Sequence, residues 1–134
     1  MGLLTRNKRH KKRVLIADDD VQVGQLLSSI LKKDYTVFTA RDGKEAIDLA
    51  YNKKPDLILM DILMPNMDGY TACSVIKSDP ETRSIPLIMI TGIGHELNKS
   101  FSEKIGADGY ITKPFDCQAL KDKINLLLGH VPSI

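Results

Sequence analysis

Short apolar runs alternate with amphipathic helical stripes along almost the whole body of the chain, and no other feature restricts the fold so strongly. The runs are Val14–Ala17, Tyr35–Ala40, Asp56–Met60, Pro86–Ile90 and Tyr110–Thr112. Each has strand length, and the first, third and fourth are nearly continuous in hydrophobic residues, as strands covered on both faces must be. Between the first two, Val23, Leu26, Leu27, Ile30 and Leu31 repeat at helical spacing. Further helices are predicted over Lys44–Lys53, with Ala46, Ile47, Leu49 and Ala50 facing the core, and over about Tyr70–Lys77. Two more follow, over about Glu96–Ile105 and from an Asp116 N-cap onward, the last with Leu120, Ile124, Leu127 and Leu128 on one face. Turn signals such as "RDGK", "KKPD", "PNMDG" and "GADG" fall between them. Five strand–helix units in this order predict an α/β, doubly wound parallel sheet with helices on both faces.

Charge divides the chain. The first thirteen residues hold six basic side chains (Arg6, Lys8, Arg9, Lys11, Lys12, Arg13) and no acid. The remaining thirteen basic and seventeen acidic residues leave the body at −4, which gives no support for direct nucleic-acid binding by the folded surface. Residues 1–12 are therefore expected to be a solvated, disordered basic arm, 13–129 one domain, and 130–134 a tail or the start of a linker. The "GHVPSI" ending leans toward a piece of a longer protein. With 43% hydrophobic residues in 134, one domain has enough apolar material for a real core. No run suits a signal peptide or a membrane span, and Cys73 and Cys117 fit no metal or redox spacing. A cytoplasmic location is expected.

In an open parallel sheet, ligands bind outside the carboxyl ends of the strands. Here those ends carry Asp18-Asp19-Asp20, Asp61, Thr91 and Lys113. Several carboxylates in one cleft repel unless a cation is present, and hard oxygen donors suit magnesium. A lysine and a hydroxyl beside them can hold phosphoryl oxygens, and a carboxylate can itself accept a phosphoryl group. Plainer readings apply to single members: Asp20 is expected to be the N-cap of the helix beginning at Val21, and Asp61 could open a turn. Thr91 alone carries no information, because threonine is favoured in strands. The combination is what is specific. "GIGHEL" lacks the third glycine of a dinucleotide fingerprint. His95-Glu96 lacks the second histidine of a zinc protease, since Lys99 stands there.

In "VLIADDD", "PDLILMDILMPNMDGY" and "GADGYITKPF", over about residues 13–129, the chain resembles the receiver domain of bacterial two-component response regulators, chemotaxis regulators included. The resemblance implies a flavodoxin-like sheet in the order 2-1-3-4-5 with five helices. It implies Asp61 as phosphoacceptor, Mg2+ held by Asp18, Asp19, Asp61 and the backbone carbonyl of Leu63, and Lys113 against a phosphoryl oxygen. It also implies a switch through Thr91 and Tyr110, and a cis Lys113–Pro114 bond. A histidine kinase or histidine phosphotransfer protein is the implied donor. The fourth helix, fifth strand and fifth helix form the surface implied to change partner, output domain or homodimer contacts. Gly92 stands where the family usually has a small residue such as alanine, so a looser loop is expected there.

Two rival readings follow from the same acids. In a small Mg-dependent phosphohydrolase of the haloacid-dehalogenase kind, Asp18 would be the nucleophile; Asp18-Asp19-Asp20-Val21 fits that motif until Gln22. In an unphosphorylated receiver-like binding module the acidic set would be idle. Leu63 and Ile93, both apolar and two residues beyond Asp61 and Thr91, predict a long-lived acyl phosphate, since neither can orient an attacking water.

Overall fold

A computed structural model describes residues 11–92 and 96–129. Most of the basic arm, Ile93 and the 130–134 tail lie outside the described residues. Five strands, β1 (Arg13–Ala17), β2 (Thr36–Ala40), β3 (Leu57–Asp61), β4 (Leu87–Thr91) and β5 (Gly109–Thr112), alternate with five helices. These are α1 (Val21–Leu31), α2 (Gly43–Lys53), α3 (Gly69–Ser78), α4 (Glu96–Lys104) and α5 (Cys117–Leu128). Every strand pairing is parallel, in the order β2-β1-β3-β4-β5, so the order implied by the resemblance holds.

Two apolar layers sandwich the sheet. On one side Leu15, Ile58, Met60, Leu87 and Met89 meet Ala46 and Ala50 of α2 and Ala72, Cys73 and Ile76 of α3. On the other, Val14, Ile16, Leu57, Leu59, Ile88 and Ile90 meet Leu27 and Leu31 of α1 and Leu120 and Ile124 of α5. Successive strand residues alternate between the layers, which is why β3 and β4 are buried along their whole length. Each fully buried leucine or isoleucine stabilises the fold by about 1.5–3 kcal/mol.

Strand limits shift by about one residue from expectation. Pro86 precedes β4, where its carbonyl accepts from Ile58 N–H and its missing N–H costs nothing. Asp56 turns its carboxylate onto the Arg13 N–H, 2.7 Å away, instead of joining β3. Four helices begin on an aspartate N-cap: Asp20, Asp42, Asp68 and Asp116. Asp20 accepts from the N–H groups of Gln22 and Val23, so its expected role as a cap is met. Among the described residues no helix is long and apolar enough to cross a membrane.

Candidate functional site

Because all five strands run the same way, their carboxyl ends share one edge, and the chemistry predicted from sequence gathers there. Asp18 follows directly on β1, and its N–H donates to Ala40 O at the end of β2, 3.0 Å away. Its Oδ1 accepts from Asp20 N–H at 2.9 Å, and its Oδ2 accepts from Lys113 Nζ at 2.9 Å. Asp61 closes β3, whose other residues are wholly buried, and its Oδ2 lies 3.5 Å from the same Nζ. One carboxylate oxygen each from Asp18, Asp19 and Asp61 fall within 4.8 Å of one another. Asp18 and Asp61 are buried; Asp19 is exposed.

Among the described residues three carboxylates face one ammonium, which leaves surplus negative charge. Burial, and then repulsion from Asp18, push the Asp61 carboxyl up to about 6, against the opposing pull of Lys113. For Lys113, burial alone favours the neutral amine, but its bonds to Asp18 and Asp61 outweigh that and raise its pKa. An added divalent cation would relieve the strain directly. The donor set suits magnesium, consisting as it does of hard carboxylate oxygens converging from two strand ends.

The other predicted residues lie on β4 and β5, just after β5, and in the loop after β3. Thr91 is fully buried at the end of β4, and its carbonyl accepts from Lys113 N–H at 2.7 Å. The Lys113–Pro114 peptide is cis. Tyr110, on β5 in register with Met89, is half-buried against the α2–α3 layer. Its hydroxyl pKa is raised by burial and then by neighbouring Tyr70. Leu63 lies in the loop leaving β3 and is 60% exposed. At Gly92 a Cβ would meet nothing within 4 Å, so crowding does not demand glycine there.

Three features of this edge escaped the sequence reading. Gly69 presses on the end of β3 so closely that a Cβ would sit 2.0 Å from Asp61 O, and its N–H closes the following loop onto Ile62 O at 2.8 Å. In sequence the "DG" pair signals only a turn. Asn66 adopts a left-handed conformation (φ 66°) and bonds Asp42, a contact between residues distant in sequence. A groove beside Asp18, lined by Val21, Gly24, Gln25, Thr39 and Arg41, opens between α1 and the end of β2.

Comparison with known proteins agrees with this geometry. The "Probable transcriptional regulator ycf27" of Guillardia theta is 37% identical over 119 residues, covering 88% of this chain and 46% of that protein. Its counterpart in Galdieria sulphuraria is 36% identical over 126 residues, 93% of this chain and 48% of that protein. The chain thus spans about half the length of these curated relatives. Among solved structures, a CheY-like response regulator receiver domain protein from Methanospirillum hungatei superposes with a TM-score of 0.83 at 32% identity, covering 89% of this chain and 94% of that one. The receiver domain of the sensor histidine kinase PA1611 from Pseudomonas aeruginosa, which has a magnesium ion coordinated in its active-site cleft, gives 0.82 at 26% identity, covering 89% and 98%. Residues 14–125 match the response regulator receiver domain, and with sheet order, acidic triad and sequence in agreement, the chain belongs to that family.

Proposed function

We propose that this receiver domain accepts a phosphoryl group on Asp61 from the phosphohistidine of a histidine kinase or phosphotransfer protein. The observation that supports this most directly is the placement of Asp61: a buried carboxylate at the end of β3, 3.5 Å from the Lys113 ammonium that also pairs with the Asp18 carboxylate. An Asp61 Oδ attacks phosphorus, the N–P bond of the donor breaks, and an acyl phosphate forms as the imidazole leaves with its electron pair. Lys113 pairs with a phosphoryl oxygen and neutralises the added charge. A magnesium ion held by Asp18, Asp19, Asp61 and the Leu63 carbonyl would supply further neutralisation and orientation. The acidic cluster and the magnesium-bearing relative support that ion.

Phosphorylation then biases a two-state surface. Thr91 turns toward the phosphoryl group, Tyr110 moves inward, and α4, β5 and α5 change their affinity for an output domain, a partner or a second copy. The names of the curated relatives favour an output in transcription, and the free thiols of Cys73 and Cys117 fit a cytoplasmic setting. The domain acts as a signalling acceptor whose only chemistry is its own phosphorylation and dephosphorylation.

Intact-protein mass after incubation with acetyl phosphate and magnesium tests the proposal. Wild type should gain one phosphoryl adduct, Asp61→Ala none, and Asp18→Ala a strongly reduced amount. No adduct on wild type would favour the unphosphorylated module. An adduct kept by Asp61→Ala and lost in Asp18→Ala would favour the hydrolase.

A further inference from the structure

The loop from Ile62 to Asp68 carries Leu63, whose carbonyl belongs to the cation site on the reading above, and that loop is tied to a helix on another part of the chain. Asp42, the N-cap of α2, uses both carboxylate oxygens. Oδ1 accepts from Glu45 N–H at 2.8 Å, and Oδ2 accepts from Asn66 Nδ2 at 2.8 Å. A carboxylate only accepts, so the amide of Asn66 must present its NH2 group. Asn66 sits at φ 66°, a conformation open to asparagine and glycine and costly for most other residues.

One residue further along each segment of this contact, Gly43 N–H donates to Met67 O at 2.9 Å. A Cβ on Gly43 would lie 2.6 Å from that same oxygen, so the first turn of α2 abuts loop backbone with no room for a side chain. The far end of the loop is closed by Gly69 N–H on Ile62 O. Only two residues separate Leu63 from Asn66, and one of them, Met64, is 9% exposed. The loop therefore has little slack between its anchor at Asp61 and its anchor at Asp42.

We propose that Asp42 and Asn66 are positioning residues: their hydrogen bond fixes the loop that carries the Leu63 carbonyl, and so sets the affinity of the site for a divalent cation. This rests on the receiver reading, because only there does Leu63 contribute a ligand. Neither side chain touches the cation.

Two variants separate positioning from folding. Asn66→Gly keeps the left-handed backbone and removes the amide; Asp42→Ser keeps a capping oxygen for Glu45 but is too short to reach residue 66. Titration calorimetry with Mg2+ alone should show Kd raised about tenfold in each, the low end of what outer-sphere partners contribute. The double variant should be no weaker than the weaker single one, since one bond is removed in all three. Unchanged Kd in both variants, with wild type binding and Asp61→Ala not binding, would overturn the positioning role and leave the receiver reading intact. Losses that multiply in the double variant would also overturn it. No binding by wild type would overturn the proposed cation-assisted phosphoacceptor function, and this inference with it. Melting of the metal-free proteins checks the alternative: a role in folding alone lowers the melting temperature and leaves Kd untouched.

Discussion

Each edge of the sheet carries a lysine–aspartate pair, and the two are built to opposite ends. At the amino edge, Lys77 of α3 donates to Asp108 Oδ2 at 2.7 Å, Ile85 O at 2.6 Å and Arg83 O at 3.2 Å. The same Asp108 oxygen accepts from Leu87 N–H at 2.8 Å. One charge meets one charge, and the remaining ammonium donors find carbonyls. At the carboxyl edge, Lys113 faces Asp18 and Asp61 at once, with Asp19 beside them. The closed pair joins α3 to the starts of β4 and β5. Among the described residues the open cluster keeps uncompensated charge, an arrangement that suits a ligand site rather than a structural pair.

The sharpest way to break this comparison is to remove each lysine in turn. Lys113→Ala should slow phosphorylation by acetyl phosphate roughly a hundredfold, as expected when a charged group aimed at a transferring phosphoryl group is lost. Lys77→Ala should leave that rate unchanged and destabilise the fold by about 2 kcal/mol in urea unfolding, because Asp108 and the Ile85 carbonyl lose their partner. A phosphorylation defect in Lys77→Ala, at a temperature where it is folded, would erase the distinction.

A smaller effect sharpens it. Asp61 is held at about 6, above the ordinary 3.8, so between these values the folded state keeps a proton that the unfolded state has released. The stability associated with this group is full below about pH 4 and is lost as pH rises through 6. Asp61→Asn should therefore stabilise the metal-free protein at pH 7.5 by about 1 kcal/mol, once solvent screening in an open cleft is allowed for. It should change little at pH 4, and magnesium should narrow the gap. Equal stability of both proteins at both pH values would mean that the cluster carries no strain.

Smallest is the effect of the loop side chain. Leu63→Gln gives the exposed position beyond Asp61 a group able to orient water, and decay of the acyl phosphate should quicken by about threefold, far less than a positioned general base supplies. A decay rate that does not rise would assign the lifetime to other parts of the site.

How much of this was legible in sequence follows from what carries each feature. Buried parallel strands must be apolar along their length, so Val14–Ala17 and "LILMD" stood out, and the polar residue at each end stood out with them. Asp20 separated from Asp18 and Asp19 because a cap needs one acid while a cation site needs several. Strand ends shifted because Pro86 and Asp56 spend their backbone or side chain on neighbouring strands, which no local pattern records. The Asp42–Asn66 bond and the Lys77–Asp108 pair join residues 24 and 31 positions apart, and only the folded chain brings them together. Gly69 had a local signal, but "DG" reports a turn and cannot report that a Cβ would strike the backbone of Asp61.

The central claim is that Asp61 carries the phosphoryl group, and borohydride trapping tests it most directly. Reduction converts an aspartyl phosphate to homoserine, which peptide mass spectrometry locates after treatment with acetyl phosphate and magnesium. The reduced residue should be found at position 61 alone, and only in protein exposed to the phosphoryl donor. Reduction at position 18, or none at position 61 in protein that has gained the adduct mass, would contradict it.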